Sequence, residues 1–215
     1  MRVGVLASGA GTNLQALLDA EGVDVAAVAS DVPEAPALAR AQRAGVPTHV
    51  FPLAPSLEPT GAEEAIGLVL ARPAERPPRD GRMAAWLREQ GAELAVLAGY
   101  MKLLDPAFLA AFPAGVINVH PALLPAFPGL HAVEQALAYG VKVFGVTVHF
   151  VDEGVDTGPI VLQRAVELPG AHEPGEVMAA LRPLEHALLG EAVRLIAHGA
   201  VHRDPEHPRR VLVSH

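Results

Sequence analysis

The chain of 215 residues contains no cysteine, and this absence excludes disulfide bonds, thiol nucleophiles and thiolate metal sites. Aromatic residues make up only 4% of a chain that is 51% hydrophobic, so the core must rest on Val, Leu and Ala. Lysine occurs only twice, at Lys102 and Lys142, and the formal net charge is -8. Because a non-specific grip on nucleic acid needs clustered basic residues, we expect no nucleic-acid partner.

Long apolar runs are also absent from the sequence. None approaches the ~20 residues that a membrane-spanning helix needs. Met1 and Arg2 lead directly into the strand-like segment at residues 3–7, without the pattern of a signal peptide. We therefore expect a cytoplasmic monomer or homodimer with no membrane partner.

Short apolar segments alternate with segments of helical spacing along most of the chain. This alternation predicts an α/β fold: a single domain over residues 1–200, with a mainly parallel, Rossmann-like sheet and helices on both faces. Residues 173–197 predict a long amphipathic helix that breaks or kinks near Pro183. The predicted strands are residues 3–7, 23–30, 48–51, 94–98, 116–119 and 143–151.

Two regions depart from this alternation. Residues 52–78 carry six prolines and predict a proline-rich insertion, either a surface excursion or a lid. Residues 201–215 form a polar tail, which we expect to run over the surface and to add an edge strand at residues 211–213.

A glycine-rich turn, Ser8-Gly-Ala-Gly-Thr-Asn13, joins the first strand to the first helix. Its free N–H groups and the helix dipole suit a phosphate, although the turn is equally compatible with a purely structural connection. The dinucleotide fingerprint requires a glycine where Leu14 stands, and the lysine of a nucleoside-triphosphate loop is missing. Both of those nucleotide sites are therefore disfavoured.

Polar side chains mark the end of the strand at residues 116–119. Strand side chains alternate with period two, so Asn118 and His120 point to the same side, at the end where parallel sheets bind ligands. Asp156 follows the strand at residues 143–151, in an acidic turn between glycines. An amide, an imidazole and a carboxylate that tunes the imidazole suit acyl transfer.

Each of these residues also has a structural interpretation. His120 could be a strand-end histidine bonded to backbone, and Asp156 could form an Asx turn. His120 could instead join His131 or His149 on a metal, although the histidine spacing of a helical metal site is missing. The proline-studded loop 121–129 favours a preorganised site, because prolines reduce the entropy lost when a loop is ordered.

Several sequence blocks together resemble the phosphoribosylglycinamide formyltransferase family. The resemblance implies transfer of a formyl group from the co-substrate 10-formyltetrahydrofolate to the amine of glycinamide ribonucleotide in purine biosynthesis, with no metal. The blocks are Ser8-Gly-Ala-Gly-Thr-Asn-Leu14, Leu97-Ala-Gly-Tyr-Met-Lys-Leu-Leu104, Asn118-Val-His-Pro-Ala-Leu-Leu-Pro125, Pro128-Gly-Leu-His131 and Val148-His-Phe-Val-Asp-Glu-Gly-Val-Asp-Thr-Gly-Pro159.

The resemblance also implies roles for individual residues. The catalytic group would be Asn118, His120 and Asp156. The ribonucleotide would be bound by Gly11, Thr12 and Asn13 at its phosphate and by Glu185 at its ribose. The folate would contact Arg76, Met101, Lys102, Leu103, Leu104, Asn118, Val151, Asp152, Glu153, Gly154 and Val155. Lys102 stands where the family usually has arginine, which keeps the charge but loses the planar fork.

Three related functions share part of this pattern. Methionyl-tRNA formyltransferase has a similar set of catalytic residues, but it carries a further domain for tRNA. Formyltetrahydrofolate hydrolase resembles the catalytic half, but usually carries an additional regulatory domain. A non-catalytic folate- or nucleotide-binding module on the same fold is the third alternative, since a fold does not determine a function.

Overall fold

The computed structural model describes residues 1–52 and 77–214, with the backbone alone for residues 77 and 78. Most of the predicted insertion at residues 52–78, including Arg76, therefore lies outside the described residues. The described residues form two compact units. We call residues 1–18 with 24–116 the N-terminal unit, and residues 19–23 with those from 117 onward the C-terminal unit.

The N-terminal unit contains a parallel sheet in the order β3-β2-β1-β4. Every residue of β4 is buried, and so are four of the five residues of β1, as expected for strands covered on both faces. In chain order the elements are β1 (Arg2–Leu6), α1 (Thr12–Asp19), β2 (Asp24–Ser30), α2 (Pro36–Arg43), β3 (Thr48–Val50), α3 (Pro77–Glu89), β4 (Leu94–Leu97) and α4 (Pro106–Ala110).

The C-terminal unit is built on three antiparallel strands, with β6 between β5 and β7. The long helix α6 packs against β6 and β7. A separate two-stranded sheet pairs β8 with β9. The elements are β5 (Val116–His120), α5 (Ala132–Tyr139), β6 (Val143–Phe150), β7 (Ile160–Glu167), α6 (Pro174–Ala197), β8 (Val201–Arg203) and β9 (Val211–Val213).

The predicted α/β fold is confirmed, and β1 to β4 have the predicted parallel arrangement. The antiparallel pairing of β5 with β6 was not predicted, because the intervening helix α5 is usually a sign of a parallel crossover. Strand β7 was missed as well. Its sequence, Ile-Val-Leu-Gln-Arg-Ala-Val-Glu, is only partly buried and gives a weak apolar pattern.

A break at Pro183 is wrong, because α6 continues through this residue, while a kink there stays a prediction. Proline removes one backbone hydrogen bond, but Leu181, Leu188 and Val193 are almost fully buried along the same helix. Most helix stability in proteins comes from packing of this kind. The predicted strand at residues 211–213 is confirmed, and it pairs with β8. Within the described residues, no helix combines the length and apolarity needed to cross a bilayer.

A buried ion pair fixes the start of α3 in the N-terminal unit. The Arg79 Nε atom donates to Asp80 Oδ1 at 2.7 Å, and both side chains are more than nine-tenths buried. The other carboxylate oxygen of Asp80 accepts a hydrogen bond from the backbone N–H of Asp105 at 2.9 Å. Asp105 in turn caps α4 by accepting from the N–H of Ala107. Asp80 therefore connects α3 to Asp105, the residue that caps the start of α4.

Replacing Asp80 with alanine should lower the free energy of unfolding by about 3–5 kcal/mol, since it leaves the Arg79 charge buried and unpaired. Arg164→Ala is the control, because it removes a pair with Glu191 in which both side chains are substantially exposed. Loss of this exposed pair should lower the free energy of unfolding by about 0–1 kcal/mol. Urea titration of both variants would measure the two changes. Equal losses for the two variants would show that Asp80 has no special structural role.

Candidate active site

Strand β5 presents two polar side chains from one side. Asn118 pairs in register with His149 of β6, and His120 pairs with Thr147. His120 is 5% exposed and His149 is 2% exposed, so both rings are held inside the protein. Asn118 and His120 reach the same carboxylate, that of Asp156, as the period-two alternation of a strand requires.

Asp156 lies in a tightly folded loop between β6 and β7. The carboxylate of Asp152 accepts from the N–H of Gly154 at 3.1 Å and from the Thr157 hydroxyl at 2.6 Å. A side chain at Gly158 would collide with the carbonyl oxygen of Phe150, so the returning chain passes directly against the end of β6. Asp156 has a φ of 51°, a left-handed conformation that non-glycine residues adopt only at an energetic cost.

Four groups of the C-terminal unit converge on the Asp156 carboxylate. Oδ2 lies 3.2 Å from His120 Nδ1 and accepts from the backbone N–H of Gly129 at 2.8 Å. Oδ1 accepts from Asn118 Nδ2 at 3.3 Å and lies 3.4 Å from His149 Nε2. Each oxygen therefore has two partners.

The surroundings of Asp156 favour its ionised form. Burial is the largest single influence and raises its pKa, but four opposing effects together outweigh it. These are the hydrogen bond from His149, the charge of His120, the hydrogen bond from the Gly129 N–H and the charge of His149. The net result is a pKa for Asp156 below its ordinary value.

Both ring nitrogens of His120 face hydrogen-bond acceptors. Nδ1 faces the Asp156 carboxylate, and Nε2 lies 2.8 Å from the carbonyl oxygen of Phe127. A neutral ring carries one N–H and can donate to only one of these two acceptors. Donation from His120 to a substrate oxygen therefore requires that one of these two contacts be exchanged.

His149 belongs to the same polar cluster, although the sequence suggested it only as a possible metal ligand. Its Nδ1 lies 2.9 Å from the carbonyl oxygen of Phe150, so Nδ1 carries a proton. Its Nε2 lies 3.3 Å from Asn118 Nδ2 and also faces Asp156. In the sequence, His149 stands two residues after Thr147 in an apolar strand. A histidine in such a strand is typically a core residue, so nothing in the sequence clearly indicated a role in the cluster.

The proline-rich loop after His120 is tied to β6 and β7. The hydroxyl of Thr147 donates to the carbonyl of Ala122 at 2.7 Å and accepts from the N–H of Leu124 at 3.1 Å. Gln163 Nε2 donates to the carbonyl of Leu124 and to the Thr147 hydroxyl. These contacts fix the loop that supplies the Phe127 carbonyl and the Gly129 N–H to the cluster.

The glycine-rich turn lies in the N-terminal unit, at the start of α1. Gly11 has a φ of 71°, and a side chain there would collide with Ala37 of α2. The N–H of Ala37 donates to the carbonyl of Gly9, and Arg40 Nε donates to the carbonyl of Ala10 at 2.8 Å. The carbonyls of the turn are thus held by α2, while Thr12 and Asn13 begin α1 with the N–H groups that an anion requires.

The remaining predicted binding residues belong to one or the other unit. Met101 is 59% exposed, and its N–H donates to the hydroxyl of Ser8 within the N-terminal unit. Leu104 of the same segment is buried. Residues 151–155 and the buried Glu185 of α6 lie in the C-terminal unit.

The metal-site alternative gains no support from His131. Its ring is 72% exposed and pairs with Glu134. In the part of the chain that the structure describes, no group of three or more histidine, aspartate or glutamate side chains is placed to hold a metal ion.

Comparison with known proteins assigns the sequence to a family. The formyl transferase family model matches residues 1–193, which is most of the sequence. The chain therefore belongs to the formyl transferase family.

Individual relatives share much of the sequence. Phosphoribosylglycinamide formyltransferase of Mycobacterium tuberculosis is 40% identical over 202 residues, covering 92% of this chain and 86% of that protein. The solved structure of glycinamide ribonucleotide transformylase 1 from Symbiobacterium toebii is 41% identical, with a TM-score of 0.84, over 100% of this chain and 94% of that one. The trifunctional purine biosynthetic protein adenosine-3 of Drosophila melanogaster is 36% identical over 214 residues, but this chain spans only 14% of its length.

The low pKa of Asp156 predicts a pH dependence of stability. A carboxylate with a depressed pKa stabilises the folded state above the ordinary value of about 3.9, and this contribution is lost as the pH falls through the lower pKa of the folded state. The free energy of unfolding of the wild type should therefore exceed that of Asp156→Asn near neutral pH, and the difference should shrink on acidification. Urea titrations from about pH 7 to about pH 3 would measure it. A difference that stays constant over this range would contradict the assignment.

Proposed function

We propose that this protein transfers a formyl group from 10-formyltetrahydrofolate to the amine of glycinamide ribonucleotide in purine biosynthesis. The observation that carries the proposal is the convergence of Asn118, His120 and His149 on the Asp156 carboxylate, in a chain of the formyl transferase family. Relatives with 40% and 41% identity are named for this reaction or for transformylation of this ribonucleotide.

In the proposed reaction the substrate amine attacks the formyl carbon, and negative charge develops on the formyl oxygen. Asn118 is the group best prepared to donate to that oxygen, because its two contacts, to His149 and Asp156, are both long at 3.3 Å. His120 would contribute a second hydrogen bond by releasing the carbonyl of Phe127 or by turning away from Asp156. Donors aimed at developing charge stabilise the transition state without reorganisation of solvent.

Asp156 has two roles in this proposal. Its negative charge stabilises the protonated form of His120, which is the better hydrogen-bond donor. It also accepts the proton that the attacking amine loses, through water, and passes it to the folate nitrogen as the bond from that nitrogen to the formyl carbon breaks. The new bond between the amine nitrogen and the formyl carbon completes the transfer, with no covalent enzyme intermediate.

Substrate binding in the proposal uses residues outside the polar cluster. Gly11, Thr12 and Asn13 would bind the phosphate at the N-terminus of α1, where backbone N–H groups and the helix dipole favour an anion. Glu185 would hold the ribose. Residues 101–104 and 151–155 would line the folate pocket, and Arg76 would contact the folate.

A hydrolase remains the principal alternative, because it would use the same polar cluster to direct water at the formyl carbon. The glycine-rich turn, with its helix N-terminus, favours a phosphorylated acceptor over water. A non-catalytic module is disfavoured by the convergence of Asn118 and His120 on the Asp156 carboxylate, a polar cluster that a simple binding site does not require.

The proposal also covers location and partners. A net charge of -8 disfavours binding to nucleic acid or to anionic membranes, so small molecules would be the principal ligands. We propose a cytoplasmic enzyme that works as a monomer or homodimer. The single domain would extend over residues 1–200, with the insertion at 52–78 and the tail at 201–215 as additions to it.

The deciding assay combines purified protein and 10-formyltetrahydrofolate, with and without glycinamide ribonucleotide, and follows the release of tetrahydrofolate by absorbance. We expect release only in the presence of the ribonucleotide, together with a formylated product. Release of formate without the ribonucleotide would identify a hydrolase. Folate binding without turnover in either mixture would identify a binding module.

Loss of Asn118 or His120 should impair turnover more than folding. We expect Asn118→Ala and His120→Ala to lower kcat by about 100-fold to 1,000-fold, the usual effect of losing one oxyanion donor. His172→Ala is the control, since this ring is exposed and bonds to the nearby carbonyl of Gly170. Circular dichroism would verify that all variants are folded, and near-normal turnover in the Asn118 or His120 variant would remove that residue from the mechanism.

A further inference from the structure

We propose that the hairpin formed by residues 200–214 positions the catalytic loop, and that Arg209 is the positioning residue. This inference rests on the proposed function, because the loop at residues 151–158 carries Asp156. We call residues 200–214 the anchor hairpin. It contains β8, β9 and the turn between them.

The direct contact is made at the end of the loop. Arg209 Nη2 donates a hydrogen bond to the carbonyl oxygen of Thr157 at 2.7 Å. Thr157 follows Asp156 in the chain, and its own hydroxyl donates to Asp152 at 2.6 Å. Thr157 is therefore held twice. Its side chain bonds to Asp152 within the loop, and its backbone carbonyl bonds to Arg209 of the anchor hairpin.

The anchor hairpin also contacts the start of the loop. The guanidinium of Arg203 lies over the ring of Phe150, 4.6 Å from its centre, a favourable cation–π arrangement. Phe150 is the last residue of β6, and its N–H donates to the carbonyl of Pro159 on the returning chain. Arg203 and Arg209 thus contact the loop near each of its two ends.

The anchor hairpin is held together by its own hydrogen bonds, which makes it a suitable support. The Asp204 carboxylate accepts from the N–H groups of Glu206 and His207. The backbone N–H of Asp204 donates to the carbonyl of Arg210 at 3.0 Å. Strand β9 also packs against β7, so the strand that follows Arg209 is supported by the sheet of the C-terminal unit.

The loop needs such support because of the conformation of Asp156. Aspartate tolerates a φ of 51° better than most non-glycine residues, but this conformation still carries a cost that contacts around the loop offset. If Thr157 is released, Asp156 can relax and its carboxylate moves away from His120, His149 and the Gly129 N–H. A displacement of about 1 Å at a catalytic group can lower a rate by about 100-fold.

The test compares Arg209→Ala with Arg210→Ala, a matched control whose guanidinium pairs with Asp204 inside the hairpin. Formyl transfer by Arg209→Ala should fall by about 10-fold to 100-fold in kcat/KM. The acid limb of its pH profile should move to higher pH, because a displaced Asp156 loses the contacts that lower its pKa. Arg209→Lys, which retains a donor, should recover part of the loss. Arg210→Ala should resemble the wild type in all respects.

Hydrogen exchange provides a readout that does not depend on turnover. The amides of residues 151–158 should exchange faster in Arg209→Ala than in Arg210→Ala, with other elements unchanged. Faster exchange in a protein that shows no formyl transfer would sustain the positioning role and reject the proposed function. Normal exchange, kcat/KM and pH profile in an Arg209→Ala protein would reject the positioning role, whatever the function.

Discussion

The carboxylate of Asp156 organises the candidate active site. A largely buried carboxylate with no partners would be neutral or would move into solvent, so its position depends on the four groups around it. Those groups come from β5, from β6 and from the proline-rich loop, and each is held by separate contacts. The hydroxyl of Thr147 and the amide of Gln163 fix the loop, while the register between β5 and β6 brings Asn118 opposite His149. The chemistry proposed for the site therefore depends on ordinary structural features, namely strand register and loop geometry.

Hydrogen-bond geometry also constrains how the site can act. His120 is satisfied by two acceptors, whereas the amide of Asn118 makes only long contacts. An amide with weak contacts can be redirected at little cost, but a histidine between a carboxylate and a carbonyl must give up a good hydrogen bond. The two residues are adjacent on one side of a strand, yet they are not equivalent donors. This difference could not be inferred from their spacing, because it depends on the position of Phe127.

Features that follow from the regular spacing of residues along the chain were predictable from the sequence. Features that depend on packing between distant residues were not. The alternation of β5 correctly placed Asn118 and His120 on one side, and the apolar runs of β1, β2 and β4 were found because they are buried on both faces. Strand β7 was missed because half of its residues are polar or exposed, and the break expected at Pro183 ignored the burial of Leu181 and Leu188. His149 resembled a core residue in an apolar strand. Its partner, Asp156, reaches it only through a left-handed loop conformation that no short sequence pattern specifies.

The polar cluster, with the Thr147 and Gln163 contacts that fix its proline-rich loop, comes from one continuous stretch of chain, residues 118–163, and Arg209 contacts it from outside. Asn118, Gly129, His149, Asp156 and Gln163 all lie within it. The entropy needed to close a loop grows with the logarithm of its length, so contacts within a short stretch are less costly to form than contacts between distant ends of a chain. Loop closure therefore costs less for this cluster than for one drawn from distant ends of the chain. New termini placed outside this stretch, as in a circular permutant, would leave its connectivity intact.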